Sequence, residues 1–473
     1  MDKVKVIATA AVTAALGALV YMIGKKETLK EACMASHQRF FMDNKAFLEM
    51  NRDINEPYGS VLSDGKNNRI YSKHCKIGCD VKKTRLNNNC LVVGGPGSGK
   101  TTGILKENIL CGNSSFVIID AGGALYQKTK DFLTDAGYRI SVLDLCHTQT
   151  SNTYNPMSYV SCLKDVQDMA ALLTDSLRRE NPKEAAETME CAQLLFKALT
   201  MYLVSTQKAD TQNFGALASL LNQIEKKPDY LDVLVRDVGY DEKKSGSFEF
   251  YEKFMEYPYE NRYKAILLLR QYFAYYEEGE HSSKFSTDTM NIGQIGDQKT
   301  AVFILLPPAG QQALDIASLF ITQAIAVSER QMDERYEGDH GAHPITFYLD
   351  EFGALPRIPC LAAQMTIMSQ YQMSCMIFVQ SMEQIKKLYR KEYKMILNGC
   401  DIWVYLSSMV LGSANEFVKQ LIENMSMTNE PGFNHLSHQE ILTKFTSLKH
   451  GECIVAINGR KLIKDQICPD RQI

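Results

Sequence analysis

The residues with the clearest chemical potential form a glycine-rich run at positions 94–102. The run reads GGPGSGKTT and matches the pattern GxxxxGK[ST] in full. In this pattern the glycines let successive backbone N–H groups turn toward phosphate oxygens. The ammonium of Lys100 can reach the β- and γ-phosphates, and the hydroxyl of Thr101 can bind Mg²⁺. We therefore predict a site for ATP and Mg²⁺ made by Gly94, Gly95, Pro96, Gly97, Ser98, Gly99, Lys100, Thr101 and Thr102.

A pair of carboxylates at the end of an apolar run is the second feature. Residues 345–349 read ITFYL and lead directly into Asp350 and Glu351. A nucleotide site of this kind needs an acidic residue at the end of a buried strand, so Asp350 is the predicted Mg²⁺ ligand. Glu351 is predicted to polarise the attacking water as general base. A surface turn is the alternative, and the mostly apolar run before the pair argues against it.

The third feature follows the next apolar run, at residues 376–379, where Gln380 and Ser381 come directly after it. A polar side chain at this strand end can sense the γ-phosphate or position water, and Gln380 is the predicted residue. The alternative is that Gln380 or Ser381 caps a helix predicted over residues 382–389. The predicted catalytic residues are thus Lys100, Glu351 and Gln380.

Residues at strand ends act together only if one sheet carries those strands. Apolar runs of four to seven residues without strict alternation recur along the chain and suit strands buried on both faces. Such strands belong to mostly parallel sheets covered by helices, so we predict an α/β fold. The predicted strands lie at residues 90–93, 116–119, 140–143, 301–306, 345–349, 376–379, 402–406 and 453–457.

Strand-like runs are missing between about residues 157 and 290, where apolar residues recur at helical spacing. We predict that this stretch is an all-α unit inserted into the α/β unit. Residues 161–290 carry 16 basic and 22 acidic side chains. Such a surface repels DNA phosphates and suits a protein partner better. The alternative is a solvated acidic face without a partner.

The whole chain has the composition of a globular protein. It has 473 residues, 45% of them hydrophobic and 23% charged, and a formal net charge of −3. These values exclude bulk disorder and a chain-wide basic coat for nucleic acid, but not a local basic channel. The 13 cysteines, an odd number without regular spacing, indicate a reducing compartment.

The N-terminal residues predict contact with a membrane. Residues 6–23 are mostly apolar, and their 18 residues are just long enough to span a bilayer. We predict an uncleaved single-pass anchor; a cleaved signal peptide is the alternative. Lysines flank both ends of the segment, so the positive-inside rule hardly decides its orientation in the membrane. Because ATP is cytoplasmic, the bulk of the chain is expected on the cytoplasmic side of the inner or plasma membrane.

Together these features resemble the type IV coupling proteins of conjugation and type IV secretion, the TraG/TraD class. The resemblance covers roughly residues 58–473. Its most specific part is LDEFGALPRIP followed by a strand that ends in Gln-Ser. The segments that carry it are GGPGSGKTT at 94–102, YNPM at 154–157, AVFILLP at 301–307, LDEFGALPRIP at 349–359, QSMEQIKKLY at 380–389 and ILNGCDIWVYLS at 396–407.

The resemblance implies a membrane-anchored hexameric ATPase with a RecA-like P-loop motor domain of the FtsK/HerA type and an all-α domain. The single N-terminal transmembrane helix is predicted from residues 6–23 themselves. The resemblance also implies that ATP hydrolysis drives transfer of a substrate, single-stranded DNA with its relaxase or a protein, into a type IV secretion channel. The expected division is an anchor at 1–26, a linker and the start of the motor domain at 27–84, the first part of the nucleotide-binding domain at 85–156, the all-α domain at 157–290 and its second part at 291–473.

The sequence departs from the pattern of this family in two places. Relatives usually carry DPKGE after the second motor strand, whereas this chain has Asp120 followed by Ala-Gly-Gly-Ala. The lysine and the glutamate are therefore absent, which puts the rate of hydrolysis in doubt more than nucleotide binding. Many relatives also have two N-terminal membrane helices, and this chain shows one predicted span.

Two further sets of basic residues follow from the resemblance. ATP sites in such rings lie between subunits, and Arg357 or Arg390 could complete the neighbouring site. A structural surface arginine is an equal alternative for either residue. Basic residues at 82–85 and 386–391 could contact DNA in the pore, although an ordinary solvated side chain explains any single one of them better. Two alternative functions stay open, namely an FtsK-like pump for double-stranded DNA and a nucleotide-binding membrane receptor or scaffold with little hydrolysis.

Overall fold

The computed structural model describes residues 68–147, 151–236, 245–277, 279–336, 343–407, 411–424, 437–458 and 462–470. The predicted membrane anchor at residues 6–23 lies outside these ranges. Among the helices of the described ranges, none is both long enough and apolar enough to cross a bilayer.

The described chain begins with a small antiparallel hairpin and then builds a nine-stranded sheet. The hairpin strands are β1 (Asn68–Ile70) and β2 (Lys76–Gly78). The strands of the sheet are β3 (Cys90–Val93), β4 (Ser115–Ala121), β5 (Arg139–Asp144), β6 (Thr300–Leu306), β7 (Ile345–Leu349), β8 (Met373–Val379), β9 (Ile402–Leu406), β10 (Glu452–Ile457) and β11 (Ile463–Gln466).

The order of the strands across the sheet is β11-β10-β9-β3-β8-β7-β4-β6-β5. Strands β3 to β8 pair only in parallel, and β9 pairs in parallel with β3. Strand β10 pairs antiparallel with both β9 and β11. Strands β3, β6, β7 and β8 are buried along their whole length, which explains their continuous apolar sequence. The prediction of a mostly parallel sheet with helices is therefore confirmed, and the antiparallel edge makes the sheet mixed.

Helices cover the sheet and form the whole of the regular structure described between β5 and β6, apart from short 3₁₀ turns. They are α1 (Val81–Thr84), α2 (Lys106–Leu110), α3 (Ala124–Asp135), α4 (Leu163–Glu180), α5 (Ala186–Thr206), α6 (Phe214–Lys226), α7 (Asp229–Arg236), α8 (Ser245–Met255), α9 (Tyr259–Phe273), α10 (Gly279–Ser286), α11 (Gln311–Tyr336), α12 (Leu361–Gln364), α13 (Met382–Tyr389), α14 (Tyr393–Asn398), α15 (Leu411–Asn424) and α16 (His438–Thr446).

A buried carboxylate links the helices that precede β6 to α11. Asp315 on α11 is 1% exposed. It accepts hydrogen bonds from Arg179 Nη2 at 2.8 Å and from the hydroxyl of Tyr272 at 3.1 Å. Arg179 lies at the end of α4 and Tyr272 at the end of α9, so one side chain ties three helices together.

A buried arginine holds the β1–β2 hairpin against the amino ends of the central strands. Arg69 is 3% exposed. Its guanidinium donates to the carbonyl of Asn88 at 2.8 Å, to Ser374 Oγ at 2.9 Å and to Thr346 Oγ1 at 2.8 Å. Thr346 is on β7 and Ser374 is on β8, so the hairpin is fixed to two neighbouring strands of the sheet.

Candidate nucleotide site

The glycine-rich loop leaves β3 and crosses the carboxyl edge of the sheet. Gly94 N–H donates to the carbonyl of Val379 at 3.1 Å, which ties the start of the loop to β8. Gly97 and Gly99 have φ angles of +68° and +89°, a backbone region that residues with a Cβ rarely adopt. The glycines are therefore needed for the path of the loop itself.

The loop passes into a π-helical turn rather than directly into an α-helix. This turn covers Lys100–Leu105, and the N–H of Lys106 donates to the carbonyl of Thr101, five residues earlier. The α-helix proper begins only after this turn and covers Lys106–Leu110. Wide turns of this kind are frequent at functional sites.

Lys100 lies inside the loop with its ammonium close to the backbone. The residue is 6% exposed, and Nζ donates to the carbonyls of Gly94 at 2.7 Å and Gly95 at 3.1 Å. Burial lowers the pKa of Lys100, while the nearby carboxylates of Glu351 and Asp350 act to raise it. An ammonium with three donors in this position can serve phosphate oxygens that enter the loop.

Thr101 and Asp350 meet although they are 249 residues apart in sequence. The hydroxyl of Thr101 donates to Asp350 Oδ2 at 2.8 Å, and Asp350 is 5% exposed. Burial raises the pKa of Asp350, and the hydrogen bond from Thr101 partly offsets this rise. A hydroxyl and a carboxylate at the phosphate loop are the hard oxygen ligands that Mg²⁺ takes together with nucleotide phosphates, so the donor set fits this ion.

Glu351 and Gln380 also come together, across the ends of β7 and β8. Gln380 Nε2 donates to Glu351 Oε2 at 3.1 Å. Glu351 has a φ of +48°, a conformation that few residues other than glycine adopt. The side chain of Gln380 therefore contacts the carboxylate, and Ser381 stands at the N-cap of α13 without a capping hydrogen bond from its side chain. Ser381 thus takes the N-cap position that the alternative gave it, but without the side-chain hydrogen bond of a cap.

Gln384 supports this arrangement and was not found by the sequence analysis. Its Oε1 accepts the N–H of Gln380 at 2.8 Å. A Cβ at Gly353 would lie 2.4 Å from the Cδ of Gln384, so the loop after Glu351 lies directly against this amide. The available signal was the spacing of four residues between two glutamines at the start of a helix.

The aspartate of the DAGGA stretch, residues 120–124, has a structural role. Asp120 is 2% exposed, and its Oδ2 accepts the N–H of Tyr126 at 2.8 Å. Burial raises the pKa of Asp120, and the backbone N–H groups of Tyr126, Leu125 and Ala124 oppose this rise. The carboxylate thus caps the N-terminus of α3.

A lysine from the helices before β6 reaches the same carboxyl edge of the sheet. Lys284 on α10 is 4% exposed and its ammonium donates to the carbonyl of Asp144, the last residue of β5. Asp144 and Asp120 both lie level with Leu305 on the strand between them. No local signal in the sequence points to Lys284, because its contact joins residues 140 positions apart.

The other predicted basic residues lie apart from this cluster or are already paired. Arg357 Nη2 is 2.7 Å from Glu392 Oε2, whereas the side chain of Arg390 is exposed and this residue has a φ of +46°. Lys386 is paired with Glu416. Exposed lysines and arginines remain at 82, 83, 85, 387 and 391.

Comparisons with known proteins agree on one family and one fold. A family model described as Type IV secretory system Conjugative DNA transfer matches residues 46–411. The bacterial conjugative coupling protein TrwBdeltaN70 in its unbound form is 15% identical with a TM-score of 0.60, and the match covers 87% of this chain and 90% of that one. No curated protein sequence matches this chain.

Two further solved structures share the fold. The plasmid coupling protein TrwB in complex with ADP and Mg²⁺ is 16% identical with a TM-score of 0.61, covering 92% of this chain and 94% of that one. VirB4 of Thermoanaerobacter pseudethanolicus is 14% identical with a TM-score of 0.53, covering 87% of this chain and 98% of that one. At these identities the likeness establishes the fold.

Proposed function

The chain belongs to the conjugative DNA transfer family of type IV secretory systems, the TraG/TraD class of coupling proteins, and we propose that it couples ATP hydrolysis to substrate transfer. One observation carries this proposal. Five residues from three separate segments, each at the carboxyl end of β3, β7 or β8, converge on the phosphate loop: Lys100, Thr101, Asp350, Glu351 and Gln380. TrwB, which has this fold, has been solved with ADP and Mg²⁺ and with an ATP analogue, which supports the proposal.

In the proposed reaction each of these side chains has a separate task. Lys100 binds the β- and γ-phosphates and offsets the charge that develops on them. Thr101 and Asp350 hold Mg²⁺, which when bound neutralises phosphate charge. Glu351 accepts a proton from the attacking water, and Gln380 holds the Glu351 carboxylate in place.

We extend the proposal to the rest of the chain in line with the family. Residues 1–26 anchor the protein in the inner or plasma membrane, and residues 157–290 form an all-α domain that recruits a relaxase or another protein substrate. The parts at 85–156 and 291–473 form the motor, which assembles as a hexamer around single-stranded DNA and delivers it to the secretion channel. The acidic excess of residues 161–290 supports a protein contact for the helical domain.

A second candidate is a nucleotide-binding membrane receptor or scaffold with little hydrolysis. The DAGGA stretch favours it, because Gly122 and Ala124 stand where relatives usually have lysine and glutamate. Asp120, the residue that this chain keeps, caps α3.

ATP turnover by the full-length protein in detergent tests the proposal. We would measure steady-state phosphate release without DNA, with single-stranded DNA and with duplex, using Lys100→Ala as the blank. Turnover above the blank that single strands stimulate is the expected result. Stimulation by duplex alone would support a double-stranded DNA pump instead, and ATP binding without turnover would support the receptor.

A further inference from the structure

The segment that follows β11 lies directly on the phosphate loop. We call residues 467–470 the strap. A Cβ at Gly99 would lie 2.4 Å from Ile467 Cδ1, and a Cβ at Gly103 would lie 3.0 Å from the carbonyl oxygen of Cys468 and 3.2 Å from Ile467 Cβ. The distance at Gly99 is shorter than the contacts of real Cβ atoms, and the two at Gly103 are tight enough that the strap would have to shift by a few tenths of an ångström. The strap therefore occupies the space that side chains at these two positions would fill.

Glycine is required at these two positions for different reasons. Gly99 has a φ of +89°, which the path of the loop requires with or without the strap. Gly103 lies in the helical turn, where its N–H donates to the carbonyl of Gly99 at 2.8 Å. Glycine inside a helix costs about 1 kcal/mol relative to alanine. Gly103 is outside the nine-residue phosphate motif, so the close approach of the strap is the feature that accounts for it.

An ion pair fixes the other end of the strap to the same helix. Lys106 is 1% exposed, and its ammonium contacts the carboxylate of Asp470, whose side chain is 53% exposed. Positions 99, 103 and 106 are spaced by four and three residues and so share one face of the helical segment. Between these two contacts, Cys468 is buried against Ile70 and Leu110.

The strap is also tied to the sheet on its other side. The N–H of Ile467 donates to the carbonyl of Gly451 at 2.9 Å, and the carbonyl of Gln466 accepts the N–H of Lys73 at 2.8 Å. Gln466 is the last residue of β11. A movement of the helical turn that contains Gly103 would therefore push against the backbone of the strap, which these hydrogen bonds hold in place.

We propose that the strap positions the phosphate loop, with Ile467 as the positioning residue and Asp470 as its anchor. Ile467 contacts Gly99 and Gly103, which bracket Lys100 and Thr101, and so limits where their donor groups point. This inference rests on the proposed function. Because binding couplings are reciprocal, nucleotide in the loop also holds the strap more firmly in place.

The test is nucleotide affinity and turnover of Ile467→Ala in the full-length protein. We expect ATP to bind about tenfold more weakly, equivalent to about 1.4 kcal/mol. We expect kcat to fall as well, because Lys100, whose position the strap limits, also offsets the charge that develops on the phosphates. Ile467→Val keeps the branched side chain and is expected to stay within twofold of wild type. Gln466→Ala, one residue earlier and exposed, is the matched control.

A second measurement separates positioning from a general loss of stability. Hydrogen exchange of residues 466–470 is expected to slow when ADP and Mg²⁺ are added to wild type, and this slowing is expected to be lost in Asp470→Asn. Unchanged exchange in wild type, or Ile467→Ala with wild-type affinity, would overturn the inference. Wild type that does not bind ATP at all would instead overturn the proposed function.

Discussion

At the scale of single residues, the candidate general base carries a strained backbone. Glu351 has a φ of +48°, and left-handed conformations of this kind at residues other than glycine cost free energy and cluster at functional sites. Two glutamines hold it there, since Gln380 donates to its carboxylate and Gln384 lies against Gly353. The strain is compatible with a carboxylate that must face the phosphate loop rather than solvent.

The first prediction replaces this carboxylate. Glu351→Gln is expected to bind ATP with wild-type affinity but to lower kcat by about 10²- to 10⁴-fold, because an amide cannot accept the proton of water. Nucleotide titration and phosphate release on the same preparation measure the two effects separately. Wild-type turnover in this variant would show that another group activates the water.

The second prediction concerns the pH dependence of stability at Asp350. Burial raises the pKa of this carboxyl, so the folded chain binds its proton more tightly than the unfolded chain does. The contribution of Asp350 to the free energy of unfolding is therefore fully present below the unfolded pKa and is lost as the pH rises through the raised, folded pKa. Asp350→Asn, which cannot ionise, is expected to be more stable than wild type at neutral pH and about equal at acidic pH.

Urea unfolding without nucleotide, across a series of pH values, measures this difference. Asp131→Asn on the exposed side of α3 is the control and is expected to show no such trend. Asp350→Asn is also expected to lose Mg²⁺-dependent ATP binding. An Asn variant that is less stable than wild type at neutral pH would contradict the prediction, because the carboxylate would then be stabilised rather than penalised by its surroundings.

At the scale of elements, the β1–β2 hairpin depends on Arg69. Arg69→Met removes hydrogen bonds to Asn88, Thr346 and Ser374 in the interior, and we expect it to lower the free energy of unfolding by roughly 3 kcal/mol. Lys82→Met, exposed on α1, is the control and is expected to have little effect. Because β1 lies at the amino edge of the sheet and the phosphate loop at the carboxyl edge, ATP affinity of the folded variant is expected to stay unchanged.

Chemical denaturation and nucleotide titration distinguish these two outcomes. A loss of ATP affinity that is as large as the loss of stability would show that the hairpin acts on the site. A variant with wild-type stability would show that water or neighbouring groups replace the guanidinium.

The elements themselves were largely predictable, because a strand that is buried on both faces has a continuous apolar sequence. All eight predicted runs lie within strands, and the phosphate loop and the Asp-Glu pair stand at strand ends as predicted. The order of the strands, the antiparallel pairing of β10 and the hairpin clamp of Arg69 were not predicted. They depend on contacts such as Arg69 with Ser374, 305 residues apart, which periodicity along the chain does not reveal.

Within the candidate site the same limit applies. Lys284 was missed because it acts on a backbone carbonyl 140 residues away. Gln384 was missed because its place within the segment 380–389 does not show that its amide turns back to the N–H of Gln380. The strap was missed because Ile467 and Asp470 belong to no motif, and only the fold brings them to Gly103 and Lys106.

At the scale of the whole molecule, one group of the site is still to be assigned. This is the arginine that a neighbouring subunit would supply. Arg357 is already paired with Glu392. Arg390 is exposed, makes no ion pair with the residues that the structure describes, and has a positive φ of +46°. Of the two candidates from the sequence analysis, we therefore favour Arg390 as the residue that acts across the subunit interface.

The last prediction tests this role by mixing inactive variants. Arg390→Ala and Glu351→Gln are each expected to be nearly inactive alone. In a ring with head-to-tail interfaces, random mixing in equal amounts leaves about a quarter of the interfaces with both an intact glutamate and an intact arginine, so turnover is expected to recover to about a quarter of wild type.

The matched control mixes Lys100→Ala with Glu351→Gln, two residues of one loop cluster in the same subunit. This mixture is expected to stay inactive, because each interface then lacks one of two groups that must come from a single chain. Recovery in both mixtures would indicate that subunits exchange whole segments rather than one arginine. No recovery with Arg390→Ala would mean that Arg390 acts within its own chain, or that the subunits hydrolyse ATP without forming a shared site.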